Sequence, residues 1–369
     1  MTRKYDHPAR KDAGNGQLKS PSGLMITKGV GTRLGESIKR AMKRGTHPFV
    51  ALSIAMLACV TALVGAPVKL RVLEFNVLYG GDPRTELGAG HPFQGKPRHE
   101  AIAEVVRETK ADIVILCETT SGSRARLPAL LDDYDAIGDL FVRKALAARP
   151  LDGPRPPKHM TGGPGAILKV GPTTELVVFG THWSPSPDPI ERARLASKQG
   201  ALTPELLQQL AASPPATAAA EATRRAVEPW LRKGAAVILA GDLNHPSHLD
   251  WTQRATSLRR WQGGPTPAID WRPTRLLAEA GLVDAYRATH PDEVRFPGDT
   301  WTPAYPESTP GRRPYSDQYS VRIDFIFTGG PCRPLDAWVV GEAGSAAEIP
   351  RKTWISDHRA VLAEVEVGE

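Results

Sequence analysis

Two polar side chains, Asp242 and Asn244, close an otherwise apolar run, Ala236-Val-Ile-Leu-Ala-Gly241-Asp-Leu-Asn-His-Pro246. The apolar stretch, bounded by Gly241 and Pro246, predicts a buried strand that stops abruptly. In extended chain residues i and i+2 share a face, so this strand delivers a carboxylate and an amide side by side. Taking such a pair out of water is costly, and the cost points to a site. Similar residues close other predicted strands. Asn76 ends Leu73-Glu-Phe-Asn, Glu118 follows Cys117, His182 stands in Gly180-Thr-His-Trp183, and Asp324 in Arg322-Ile-Asp-Phe-Ile-Phe327. Ser356-Asp357-His358 precedes the last apolar strand. Carboxylate and amide oxygens are hard ligands suited to Mg²⁺ or Mn²⁺. A carboxylate beside a histidine suits proton transfer.

The elements that must position these groups read as short strands interleaved with helices. Strands are expected over 69–78, 111–119, 166–170, 175–181, 236–242, 321–328, 336–340 and 360–367. Amphipathic spacing predicts helices over 98–110, 204–210, 216–233 and 275–280, the last stopped by Gly281. Residues 184–215 form a Pro-, Ala- and charge-rich insertion beside His182. The expected architecture is α/β with mixed sheets packed on each other and helices outside.

Charge is unevenly spread. The formal net charge is +7, but residues 1–66 hold eleven Lys/Arg and three Asp/Glu, leaving 36 basic and 37 acidic residues for the rest. The nearly neutral body gives no general electrostatic grip on nucleic acid, although a local basic groove is compatible with it. Residues 1–47 are Gly-, Lys-, Arg- and Ser-rich and read as a disordered extension. Lys39-Arg-Ala-Met-Lys-Arg44 then leads into an uncharged apolar run, 49–66. That pattern predicts an export signal over 48–66, or else a membrane anchor with the body outside. Two cysteines remain in the body, Cys117 and Cys332, enough for one disulfide at most. Cys117, inside an apolar run, reads as a core residue.

Taken in order, the six motifs Leu-Glu-Phe-Asn, Cys-Glu-Thr, Gly-Thr-His-Trp, Gly-Asp-Leu-Asn, Arg-Ile-Asp-Phe and Ser-Asp-His resemble the endonuclease/exonuclease/phosphatase superfamily. Deoxyribonuclease I, abasic-site endonucleases, inositol polyphosphate 5-phosphatases and bacterial sphingomyelinases share that fold. The resemblance spans essentially 67–369, so that segment is expected to be the catalytic domain. It implies a four-layer α/β sandwich, two packed mixed β-sheets flanked by helices, and divalent-metal-dependent cleavage of a P–O bond.

By the same resemblance, Glu118 is the principal metal ligand, with Asn76 beside it directly or through water. Asp242 orients or deprotonates the attacking water. Asn244 donates to a phosphoryl oxygen and helps hold Asp242. His358 contacts the scissile phosphate, with Asp324 fixing its tautomer and raising its pKa. Asp357 serves a second metal position or the site's electrostatics, and His182 binds a phosphate oxygen or assists the leaving group. His245 and His248 read as loop residues near the site. On the substrate side, Trp301, Arg312 and Arg313 lie in a long loop before Asp324, where they could hold a base, a sugar or a second phosphate, or simply pack the loop. Arg322 could reach phosphate or pin carboxylates structurally.

The expected function is an exported, Mg²⁺- or Mn²⁺-dependent phosphohydrolase, monomeric, attacking a phosphodiester or phosphomonoester in line with an activated water. The alternatives are a secreted nuclease and a catalytically silent binding protein on the same scaffold.

Overall fold

The computed structural model describes residues 66–368 except 85–86, 88–90, 153–164, 172–173, 186–187, 259, 262–263, 266, 302–319 and 344–346. The expected disordered extension and most of the expected signal or anchor therefore lie outside the described residues. None of the described helices is long and apolar enough to cross a membrane.

In chain order the first half comprises β1 (Val68–Asn76), α1 (His99–Thr109), β2 (Ile113–Cys117), α2 (Ser121–Leu130), β3 (Tyr134–Ile137), β4 (Leu140–Arg143), β5 (Arg149–Pro150), β6 (Ala166–Lys169) and β7 (Glu175–His182). Then follow α3 (Pro189–Lys198), α4 (Pro204–Ala212), α5 (Pro214–Arg232), β8 (Ala236–Asp242), α6 (Gln253–Leu258), the small pair β9 (Arg260–Trp261) and β10 (Gly264–Pro265), and α7 (Arg272–Glu279). The chain closes with β11 (Val283–Asp284), α8 (Ala285–Thr289), β12 (Asp324–Gly329), β13 (Cys332–Glu342), β14 (Ile349–Arg351) and β15 (Ala360–Val367).

The strands form a seven-stranded sheet, β14-β13-β15-β1-β2-β4-β3, and a six-stranded sheet, β11-β12-β8-β7-β6-β5. Both are mixed: β1 runs parallel to β2 and β7 parallel to β8, while β1–β15 and β8–β12 are antiparallel. Alternation along each strand explains the layering. On β1, Leu70 and Val72 join Ile113 and Ile115 of β2, Val178 of β7 and Ile238 of β8 in the core between the sheets. Leu73 and Phe75 turn the other way, onto Ile102, Val105 and Val106 of α1. On the far side Val177, Phe179, Val237 and Leu239 meet Val227 of α5 and Leu276 and Leu277 of α7. The order is helix, sheet, sheet, helix, the four-layer α/β sandwich.

Residues 184–215, read as an insertion with one short helix, hold two helices, each opened by a side-chain cap. Asp188 accepts from the backbone N–H groups of Ile190 and Glu191, and Thr203 accepts from that of Leu206. Such caps satisfy helix-start donors that have no partner in the first turn. Cys117 and Cys332 are both buried and unpaired.

Candidate active site

Strand register builds the site. Asp242, the last residue of β8, stands opposite His182 on β7 and opposite Asp324 on β12. In the other sheet Asn76 pairs with Cys117, which places Glu118 just past the end of β2. His358 lies two residues before β15. Gly241 shows why this strand end takes the form Gly-Asp. Its φ is +154°, and a Cβ there would lie 1.7 Å from the Thr181 carbonyl oxygen, so β7 and β8 close up only around glycine.

Asp242 is the hub. Its Oδ1 accepts the Asn244 backbone N–H at 2.7 Å. Its Oδ2 accepts the side-chain amides of Asn76 at 3.0 Å and Asn244 at 3.2 Å. His182 Nε2 lies 3.6 Å and His358 Nε2 3.8 Å from the same oxygen. On its far side His358 places Nδ1 at 2.9 and 3.1 Å from the two Asp324 carboxylate oxygens. A carboxylate only accepts, so Nδ1 carries the proton and Nε2 faces Asp242. Ser356 ties the loop before β15 to the end of β1, its neighbour in the seven-stranded sheet. Its hydroxyl donates to the Asn76 carbonyl at 2.6 Å and accepts the His358 N–H at 3.2 Å. The Thr300 hydroxyl oxygen likewise accepts the N–H groups of Ile323 and Asp324, holding Asp324 from its backbone.

Glu118 stands one amide away. Its Oε1 accepts from Asn76 Nδ2 at 3.2 Å and its Oε2 from the Tyr79 backbone N–H at 2.9 Å. Asn76 Oδ1 accepts the Leu78 N–H at 3.1 Å, which fixes the orientation of the amide. Of the seven described non-glycine residues with positive φ, four are here: Leu78, Tyr79, Glu118 and Asn244. Backbone strain of this kind persists only where the surroundings enforce it, and it gathers at functional sites.

The electrostatics follow from burial. Desolvation, then the neighbouring Asp324 carboxylate, pushes Asp242 up to about 8 against the pull of His358. Burial alone would lower His358, but Asp324, Asp242 and Asp357 together hold it well above its ordinary value. Burial lowers His182 against the opposing pull of Glu118. Among the described residues, the partners of Asp242 and Glu118 are amides, backbone N–H groups and histidines, not arginine or lysine. Asp242, Asp324 and His358 each offer a ligand atom within 4.8 Å of the others. Clustered hard oxygen donors with negative charge left uncompensated fit a divalent cation of the Mg²⁺ type.

The structure thus brings Asn76, Glu118, His182, Asp242, Asn244, Asp324 and His358 together. Asp357 is buried nearby but lies outside the three-residue group around His358. Trp301 is half-buried, its ring centroid 6.4 Å from that of His358. Arg312 and Arg313 lie outside the described residues.

Two sequence expectations need correction. Arg322 is not a substrate-side residue. It is 1% exposed, with its guanidinium bonded to Asp250 at 2.9 and 3.0 Å and to Asp284 at 3.0 Å. Asn244 holds Asp242 but has no amide hydrogen left for a phosphoryl oxygen, because its Nδ2 serves Asp242 and the Trp183 carbonyl at 3.0 Å.

One buried ionisable group was missed altogether. Glu74, two residues before Asn76 on the same strand face, is fully buried, and among the described residues neither of its oxygens has a well-formed hydrogen bond, the Cys117 thiol acting on it only as a weak donor. Burial first, then the carboxylates of Asp324 and Asp242, push its pKa well upward.

Comparison with known proteins agrees with this geometry. The family model described as "Endonuclease/Exonuclease/phosphatase family" matches residues 73–358. A curated relative, the uncharacterized protein F14F9.5 of Caenorhabditis elegans, is 32% identical over 146 residues, 37% of this chain and 43% of the relative. The match therefore spans less than half of that relative's length. Among solved structures, TDP2 from C. elegans is 17% identical, with 97% of this chain and 99% of that one covered and a TM-score of 0.50. An endonuclease/exonuclease/phosphatase from Bacteroides vulgatus is 17% identical, with 81% and 99% covered and a TM-score of 0.45. At such identities the structural likeness speaks for the fold alone. The matched family model spans both ends of the strand-end cluster, from β1 to His358, and the chain belongs to the endonuclease/exonuclease/phosphatase family.

Proposed function

We propose that this protein is a divalent-metal-dependent phosphoester hydrolase that activates water for in-line attack on phosphorus. The observation that carries the reading is the buried row of Asp242, Asp324 and His358, joined through Asn76 to Glu118. Glu118 and Asn76 would hold the cation, Mg²⁺ or Mn²⁺. Bound there, it would offset the negative charge that makes a phosphoester repel nucleophiles.

The chain's own residues divide the remaining work. Asp242 takes the proton from water, and its pKa of about 8 lies near the range where a general base serves best at neutral pH. Asn244 and Asn76 fix its carboxylate, so the basic oxygen does not turn away. His358, protonated by virtue of Asp324, presents Nε2–H as a charged donor to a phosphoryl oxygen. His182, beside Asp242, is the second donor on that side. Export rests on residues 48–66 and is proposed on that pattern; amino-terminal sequencing of the mature protein tests it.

A metal-supplemented screen over nucleic acids, phospholipids, inositol phosphates and simple mono- and diesters tests the proposal. At least one class should be hydrolysed by the wild-type chain and by neither Asp242→Ala nor His358→Ala. Hydrolysis that persists in both variants would refute the assignment.

A further inference from the structure

The 3₁₀ turn Tyr79–Gly81 follows Asn76 directly and bears on the rim of the site. Tyr79 gives its backbone N–H to Glu118, yet the residue is 43% exposed, the one aromatic residue among the four exposed large apolar side chains described. Its ring carries the Arg84 guanidinium on one face, with Cζ 3.7 Å from the ring centroid. The turn that presents it is pinned. Leu78 N–H is held by Asn76 Oδ1, and Leu78 carbonyl oxygen accepts the buried Arg98 guanidinium at 2.5 Å. Gly80 has φ +66°, and a Cβ on it would sit 2.5 Å from Thr120 Oγ1. Leu78 and Tyr79 themselves hold φ near +50°, a conformation that costs energy in a non-glycine residue. The backbone that carries Tyr79 is thus pinned and strained beside Glu118, and among the described residues its ring packs on the Arg84 guanidinium.

We propose that Tyr79, backed by Arg84, is a stacking subsite for a planar aromatic group carried on the substrate's phosphate. This rests on reading the strand-end cluster as a phosphoester hydrolase site, and it narrows the substrate to aryl or nucleoside phosphoesters. Two features of the ring fit that role. The Tyr79 backbone N–H, 2.9 Å from Glu118 Oε2, holds the residue beside the proposed cation site. The guanidinium on one face strengthens the shelf without covering the rest of the residue's exposed surface. Stacking of a base on an aromatic side chain is sequence-tolerant, because every base has a π-face, and a cation on the opposite face adds to the interaction.

The test is equilibrium binding of three probes to the full chain in Ca²⁺, carried in an Asp242→Asn background so that no probe is consumed. The probes are thymidine 5′-phosphate, phenyl phosphate and 2-deoxyribose 5-phosphate. The aromatic probes should bind roughly tenfold more tightly than the sugar phosphate. That ratio should collapse in Tyr79→Ala and Tyr79→Leu and survive in Tyr79→Phe. Thymidine 5′-phosphate binding more tightly than phenyl phosphate would identify a nucleoside as the source of the ring; the reverse would identify an aryl ester. The absence of any aromatic preference, or an equal loss in Tyr79→Phe, overturns the proposal. A preserved preference in a chain that hydrolyses nothing would instead sink the hydrolase reading and leave the subsite standing. Chelator-sensitive hydrolysis without the preference would do the opposite.

Discussion

Two clusters of ionisable groups meet the chain two residues apart, at Arg322 and Asp324 where β12 begins, and they are built on opposite plans. In the first, Arg322 and Arg287 meet Asp250 and Asp284. Arg322 bonds both carboxylates, and Arg287 bonds Asp250 at 2.7 and 3.0 Å. Two cations face two anions, and Asp284 additionally caps α8 by accepting the Arg287 N–H at 3.2 Å. In the second, Asp242, Asp324, Glu118 and Asp357 lie around His358 and His182, and among the described residues no guanidinium or ammonium is bonded to Asp242 or Glu118. The first cluster is complete as it stands and serves the fold. The second is left short of positive charge, and that shortfall is what a cation and a phosphoester transition state would use. Burial alone does not mark a site; uncompensated burial does.

The comparison breaks most visibly at Asp242. Asp242→Ala should cut hydrolysis by about 10²- to 10⁴-fold, up to about 5.5 kcal/mol of barrier. Its denaturant midpoint should stay at or above that of wild type, because the substitution removes a carboxylate from an overcrowded set. A variant that loses stability as severely as activity would put Asp242 in the same class as Arg322.

Arg322→Met should show the reverse pattern. It strands Asp250 and Asp284 in the interior, and removing one partner of a buried ion pair costs about 3–5 kcal/mol. Specific activity of the fraction that remains folded should be close to wild type. Urea unfolding together with active-site-normalised rates decides this.

His245 gives a third, intermediate case, a buried histidine with no carboxylate beside it. It stacks edge-on against Trp271 at 4.9 Å between centroids, and burial pushes its pKa down to about 4. An unfolded histidine titrates near 6.5. Between those values the unfolded chain binds a proton that the folded chain lacks, so stability rises with pH across the window and falls on acidification. The contribution is about 3 kcal/mol between pH 6.5 and pH 4. His245→Phe should lose that part of the pH dependence, read as the difference between wild-type and variant unfolding midpoints at the two pH values. Parallel curves would contradict it.

The smallest effect belongs to Glu74, whose buried oxygens lack a well-formed hydrogen bond among the described residues. Glu74→Met should raise stability by about 1–3 kcal/mol by removing an unsatisfied polar group. A drop in the unfolding midpoint would mean that the carboxyl is held by contacts beyond those described.

The same contrast explains what could be read from the sequence. Strand ends were legible because apolar runs stop at Gly, Pro or a polar residue, and because period-two alternation assigns faces. That sufficed for β1, β2, β7, β8 and β15 and for the residues delivered at their ends. The helix Ser121–Leu130 and the hairpin β3–β4 were not, because Ser, Gly, Arg and an internal Pro128 give little apolar period. The helix is set instead by a capping box in which Thr120 and Ser123 satisfy each other's backbone N–H groups. Arg322 could not be assigned from the face it shares with Asp324, since its partners Asp250 and Asp284 lie 72 and 38 residues away. Glu74 was illegible for a related reason: whether a polar position in an alternating strand faces water or a second sheet is decided by the other sheet.

The proposed function requires the uncompensated cluster to hydrolyse a phosphoester only with a divalent cation in place. Its most direct test is the hydrolysis of bis(p-nitrophenyl) phosphate by purified wild-type and Glu118→Gln chains, through removal of metal with a chelator and readdition of Mg²⁺ or Mn²⁺. Wild-type activity should vanish on chelation and return on readdition, and Glu118→Gln should need a far higher metal concentration to recover. Turnover that continues undiminished in the chelated wild-type protein would contradict the account.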